Sequence, residues 1–328
     1  MLVYTLKDKR INDSWYCKEG DTYHAFFLEY GYDEPEKFQW SHQSCGHMTS
    51  RDLVNWEYKG TILRPTENTW YDRGIATGSI AKYNGKWYLI FTGGDLYSNS
   101  NIGFGLMVSE NLVNWEMISK EPFIRASLPL ASPVMRDGTP TLSEDTLYNV
   151  QYLDKYLNVH PIADPYIYPE AINGKYYIFI NSHIADAPKN HRGAIAIFET
   201  ENFCDFKPYK IAAIDSCDRM ETCQVWEHDG KWYMYSGCVY STLDENGKIT
   251  GQKNENWLFV SDNFDGPYSR RQLLHFPVHE QYPGILYIAK VIKDVNGHDV
   301  MMINNIPYGA IGPYKISYNQ DYTITLGM

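Results

Sequence analysis

No run of about 18 apolar residues interrupts these 328 residues, so no membrane-crossing helix is read from the sequence. Basic excess is absent as well. The formal net charge is −11, which speaks against a nucleic-acid or anionic-membrane partner, because either requires a basic face. The six cysteines (Cys17, Cys45, Cys204, Cys217, Cys223 and Cys238) form no CxxC pair and no zinc spacing with histidine. Reduced thiols in a cytoplasmic protein are therefore the expectation. "MLVYTLKDKR" has neither the apolar core nor the small-residue cleavage site of a signal peptide, which points the same way. Nothing in the histidine spacing calls for a metal, and no cofactor motif is present, so none is expected. Long helical periodicity is missing too.

What is present is aromatic. Aromatics make up 15% of the chain, with 28 Tyr and 9 Trp, a bias shared by β-rich proteins and sugar-binding surfaces. A turn followed by an aromatic strand recurs: "EGDTYHAFFLEY", "NGKWYLIFTGG", "NGKYYIFINSH", "DGKWYMYSGC" and "NGHDVMMINN". Asn-Gly and Asp-Gly favour the type I′ turn between antiparallel strands, and aromatic and β-branched residues suit the pleated, buried strand that follows. A second unit follows the first four copies: "TSRDLVNWE", "VSENLVNWE", "ETENFCDF" and "VSDNFDGPY". Its Ser, Thr, Asp and Asn side chains can bond nearby backbone groups and turn the chain, and the aromatic can then cover the sheet.

The turn glycines are Gly20, Gly85, Gly174, Gly230 and Gly297. Each interval holds about four short strands, the content of one propeller blade. The predicted fold is all-β: one five-bladed β-propeller over residues 1–328, with no C-terminal β-sandwich. The interval from Gly85 to Gly174 is the longest, and its Pro/Ser-rich part from Ala131 onward reads as a loop insertion.

Three carboxylates precede an aromatic strand at comparable places: Asp13, Asp164 and Glu221, ahead of the first, third and fourth turn glycines. Each is flanked by apolar or aromatic residues, an unusual setting for a solvated charge. Singly, Asp13 and Asp164 read as turn residues and Glu221 as a strand-end charge. In register across blades, they read as a set on the propeller axis. Paired carboxylates are what glycosidic cleavage needs. One acid protonates the leaving oxygen, and a second carboxylate attacks the anomeric carbon or activates water.

The chain resembles the five-bladed propeller glycosidases of clan J, above all glycoside hydrolase family 32. The resemblance rests on "INDSWYCKEGDTYHAFF", "CGHMTSRDLVNWE", "DRGIATGSIAKYNGKWYLIFTG", "ADPYIY" and "METCQV". It implies a retaining hydrolase of a β-fructofuranoside, with Asp13 as nucleophile, Glu221 as acid/base and Asp164 as the residue that stabilises the transition state through the furanose hydroxyls. It further places Asn12, His47 and Thr77 in pocket-lining blocks, with Glu29 where the family usually has glutamine. Trp40 and Arg73 are additional candidates for the sugar pocket, Trp40 as a stacking surface. The partner implied is a small oligosaccharide or a polysaccharide. Departures occur at Ser14-Trp15-Tyr16, at Ala163 and at Thr222-Cys223-Gln224, where the family has Pro-Asn-Gly, arginine and Cys-Pro-Asp. Two other readings stand beside this one: an inverting family 43-like arabinofuranosidase or xylosidase, and a non-catalytic carbohydrate-binding propeller.

Overall fold

In a computed structural model the chain forms five antiparallel sheets arranged as blades about one axis. The structure describes residues 2–33, 42–95, 100–125, 135–136, 139–140, 159–184, 187–276 and 280–327. No helix occurs among them. The inner strands are Lys9–Glu19, Ile75–Tyr83, Val159–Ile167, Arg219–His228 and Ile285–Val295. Each pairs with the aromatic strand that follows its turn: Thr22–Gly31, Lys86–Asp95, Tyr176–Ile184, Lys231–Leu243 and His298–Ile306. The fifth blade also takes in Leu2–Tyr4, which pairs with Gly309–Tyr318, and the Ile11 amide donates to the Pro307 carbonyl at 2.8 Å. The two ends of the described chain thus meet and close the ring. Most of the expected insertion lies outside the described residues; Met135–Arg136 pairs with Thr139–Pro140 within it.

The recurrent turn is as the dipeptides predict, with one variation. Asn84-Gly85, Asn173-Gly174, Asp229-Gly230 and Asn296-Gly297 all have positive φ at both positions, the type I′ signature. In the first blade Glu19 pairs with Thr22, and Gly20 (φ 57°) is the first central residue, the place that a type II′ turn reserves for glycine.

The second repeat turns the chain out of the third strand of its blade. Ser50 Oγ accepts the amides of Asp52 (3.1 Å) and Leu53 (2.9 Å), and Ser109 Oγ accepts those of Asn111 (3.2 Å) and Leu112 (2.9 Å). Leu53 and Leu112 sit at φ 62° and 64°, costly for a branched side chain, yet both are buried. Trp56 and Trp115 then donate their indole N–H to the Leu53 and Leu112 carbonyls at 3.0 and 3.2 Å. A local hydrogen-bond set thus holds a strained turn and lays an aromatic over the sheet.

The hydrophobic core is divided into wedges between neighbouring blades. Trp15, Phe26, Ile75 and Phe91 lie between the first and second. Ile90, Phe104, Ile167 and Ile178 lie between the second and third, and Phe179, Met220, Val225 and Phe259 between the third and fourth. Trp226, Tyr235, Met301 and Ile303 join the fourth and fifth; Ile11, Phe27, Ile292 and Met302 join the fifth to the first. Apolar burial is satisfied in these wedges. The axis is therefore left to side chains that apolar packing does not claim.

Replacing Ser109 by alanine leaves the buried Leu112 amide without its partner. Urea unfolding should show a loss of about 1–2 kcal/mol, the usual cost of an unsatisfied buried donor. An unchanged midpoint would mean that the hydroxyl does not hold the turn.

Candidate active site

All five inner strands depart from regular pairing at the same level. The register slips between Ile11 and Ser14, Ala76 and Gly78, Ala163 and Tyr166, Glu221 and Gln224, and Leu286 and Ala289. A β-bulge leaves one or two residues unpaired and re-aims their side chains. The residues in or bounding these bulges include Asp13, Thr77, Asp164, Glu221 and Tyr287. Asp164, Thr222 and Ile288 have φ of 53°, 49° and 66°, a left-handed twist that ordinary strand pairing would not tolerate. "RINDSW" is thus a strand carrying a bulge, not a turn.

The bulges bring the three carboxylates together. Thr77 Oγ1 donates to Asp13 Oδ2. Asp164 Oδ2 accepts Asn181 Nδ2 at 2.5 Å and the Thr222 amide at 3.2 Å, while the Asp164 amide donates to Thr92 Oγ1 at 3.1 Å. Glu221 Oε2 accepts the Tyr287 hydroxyl at 3.0 Å, and Arg219 Nε stands 3.1 Å from Glu221 Oε1. Gly237 pairs with Glu221 across the sheet, and a Cβ there would collide with the Tyr287 hydroxyl. Its missing side chain is what lets Tyr287 reach the glutamate.

Burial shapes the electrostatics. It pushes Asp13 up to about 6, with Glu221 raising it further and Thr77 and Lys290 pulling it down. Burial likewise lifts Asp164 to about 7, helped by the negative charges of Asp13 and Glu221 and opposed by the Thr222 amide. Both side chains keep some exposure, although protein atoms surround them on most sides. The mutual repulsion is the signature of acids crowded into one site. Around them Asn12 Oδ1, Asn181 Oδ1 and Thr222 Oγ1 are buried and have hydrogen-bonding capacity that the protein itself does not use. Such groups suit a ligand rich in hydroxyls.

The other residues singled out from sequence have separate settings. Thr77 is in the cluster. Asn12 adjoins it, its Nδ2 donating to Gln43 Oε1 at 2.6 Å. Glu29 is buried and held by Lys9 Nζ at 2.5 Å, Tyr58 at 2.9 Å and Thr61. His47 is packed within the first blade, stacked on Phe26 at 4.6 Å and bonded to His24 at 2.9 Å; burial pushes it down to about 3. Arg73 is exposed just ahead of the second inner strand, and Trp40 lies outside the described residues. Sequence reading missed Thr92, Asn181, Arg219, Tyr287 and Lys290. For Tyr287 a signal existed: it precedes its turn glycine as the carboxylates precede theirs. The two cations gave none, because their pairing spans blades or depends on a bulge.

Comparison with known proteins agrees with this architecture. Residues 10–152 match the model of the glycosyl hydrolases family 32 N-terminal domain, which includes Asp13 and Thr77. A sucrose-6-phosphate hydrolase of Zymomonas mobilis is 22% identical over 285 residues, 85% of this chain and 49% of that protein. The chain spans about half the length of that relative and of its Bacillus subtilis counterpart. Among solved structures, a family 32 β-fructofuranosidase of Bombyx mori superposes with a TM-score of 0.64 at 13% identity, over 97% of this chain and 62% of that one. A thermostable family 43 glycoside hydrolase gives 0.63 at 15%, over 98% and 95%. The expected resemblance to five-bladed propeller glycosidases is borne out, with family 32 in sequence and families 32 and 43 in fold.

A carboxyl raised above its ordinary value favours folding while protonated, and that advantage is lost as pH climbs through the raised value. Asp164→Asn should therefore unfold later than wild type at pH 8, by about 1–2 kcal/mol. The gap should close as pH falls from about 7 toward 4. A variant that is less stable at pH 8 would show that Asp164 is not held against repulsion.

Proposed function

We propose that the protein is a glycoside hydrolase acting on a furanoside, specifically a β-fructofuranoside of the sucrose or fructan type, by retention. The observation that carries this reading is the half-buried cluster of Asp13, Asp164 and Glu221, drawn from three blades and mutually repelling. The family 32 match over the segment that holds Asp13 supports fructose as the sugar.

In this reading Asp13 attacks the anomeric carbon as its bond to the leaving oxygen breaks. Glu221 gives its proton to that oxygen. A water then loses a proton to Glu221 and displaces Asp13, restoring both groups. Thr77 fixes the attacking carboxylate, and Tyr287 and Arg219 aim Glu221 from either side. The guanidinium also stabilises the carboxylate left once the proton has gone. Asp164, bonded to Asn181 and the Thr222 amide, faces the sugar hydroxyls.

A second reading, inversion on an arabinofuranoside or xyloside, is favoured by the family 43 structure, which superposes over nearly its whole length. Sucrose, inulin, levan and p-nitrophenyl furanosides separate the two when the first-formed product anomer is read by NMR. Fructose released with retained configuration supports our proposal; inverted pentose supports the rival. Sugar binding without turnover of any of them favours a lectin-like propeller.

Glu221→Gln should lower kcat by about 10²–10⁴-fold, because an amide cannot donate the proton. The acid limb of kcat/KM should fall near pH 6, where Asp13 ionises, and not near the ordinary carboxylate value of about 4. An undiminished rate in the glutamine variant would remove Glu221 from the role.

A further inference from the structure

Lys290 lies on the inner strand of the fifth blade and is only 5% exposed. Its Nζ donates to the carbonyls of Thr222 (2.8 Å) and Cys223 (3.3 Å), the two residues unpaired in the bulge after Glu221. The face of the Tyr166 ring is 5.9 Å away. Its hydrogen bonds therefore go to neutral acceptors, an expensive way to bury an ammonium, since burial disfavours its charge. Cys223, Asp13 and Asp164 oppose that cost by favouring the protonated amine, but burial still holds the amine below the ordinary lysine value. Thr222 links the two effects, because its carbonyl accepts from Lys290 while its amide donates to Asp164. Beyond Lys290, on the side away from the carboxylates, the axis widens into a cavity of about 410 Å³ bordered by Trp15, Tyr166 and Gln224.

We propose that Lys290 is a positioning residue of the carboxylate site. Its ammonium clamps the bulge that aims Glu221 and supplies the positive charge beneath Asp13 and Asp164. The charged or titratable groups facing this position are Asp13 on the first inner strand, Asp164 and Tyr166 on the third, Cys223 with the Arg219–Glu221 pair on the fourth, and Tyr287 on the fifth. The second inner strand contributes Thr77, which is uncharged. Arg219 serves Glu221. Lys290 serves Asp13, and Arg219 also lies in the field of Asp164.

The functional side of this inference rests on the hydrolase proposal; the electrostatic side does not. Lys290→Gln keeps a donor for the two carbonyls and removes the charge, whereas Lys290→Arg keeps the charge. With aspartate carboxyls labelled with ¹³C, NMR titration follows Asp13 directly, assigned by its loss in Asp13→Asn, and thermal unfolding shows that each variant is folded. In Lys290→Gln the Asp13 midpoint should rise by about half a pH unit or more, since a neighbouring cation no longer favours its anion. Lys290→Arg should hold it near the wild-type value, and the acid limb of kcat/KM should move in parallel. A folded glutamine variant with an unmoved midpoint overturns the proposal. Should that variant not fold, an arginine variant whose midpoint rises overturns it equally. A shifted midpoint in a protein that cleaves no furanoside leaves the role of Lys290 intact and removes the hydrolase reading instead.

Discussion

Five matched interruptions of strand pairing carry everything else in this molecule. Each inner strand slips register six to eleven residues ahead of its turn glycine, and the freed residues aim their side chains at the axis. Regular pairing would alternate these side chains between the two faces of a blade, where the apolar wedges lie. The bulges are what allow acidic residues, far apart in sequence, to share one space. The wedges in turn make the bulges affordable, because the core is complete without any contribution from the axis.

The shared space is electrostatically uncomfortable, and that discomfort is its chemistry. Both aspartates are lifted toward neutrality by burial and by the charge of Glu221, and Asp164 is raised further by Asp13. Two cations balance them, Arg219 beside Glu221 and Lys290 beneath the aspartates. Three acids that do not all ionise readily at neutral pH can divide the work of attacking, protonating and holding. Sites of this kind violate the rules that govern the rest of the chain, and function is where such violations are expected.

The fold was legible in the sequence because its signals are local. Asn-Gly and Asp-Gly turns, and serines whose hydroxyls cap the following amides, act within a few residues and repeat from blade to blade. Asp13, Asp164 and Glu221 were visible only through that repetition, since each has an ordinary explanation alone. The bulges themselves were not visible: "RINDSW" looks like a bend, and the extra residues in a strand leave no mark in composition. Glu29 shows the limit of motif placement. Its position in the aromatic strand is as expected, but Lys9, Tyr58 and Thr61 take up its carboxylate within its own blade. His47 is likewise stacked on Phe26 inside the first blade. Arg219 and Lys290 escaped notice because a buried cation is recognised by what surrounds it in space.

Whether the aspartates truly share one desolvated site is measured most directly by a double-mutant stability cycle at pH 8 on Asp13→Asn and Asp164→Asn. Each substitution removes the same repulsion, so the two gains should fall short of adding, with a coupling of about 1 kcal/mol. Gains that add to within about 0.3 kcal/mol would mean that the two carboxyls do not feel one another, and the account of a common acidic site would fail.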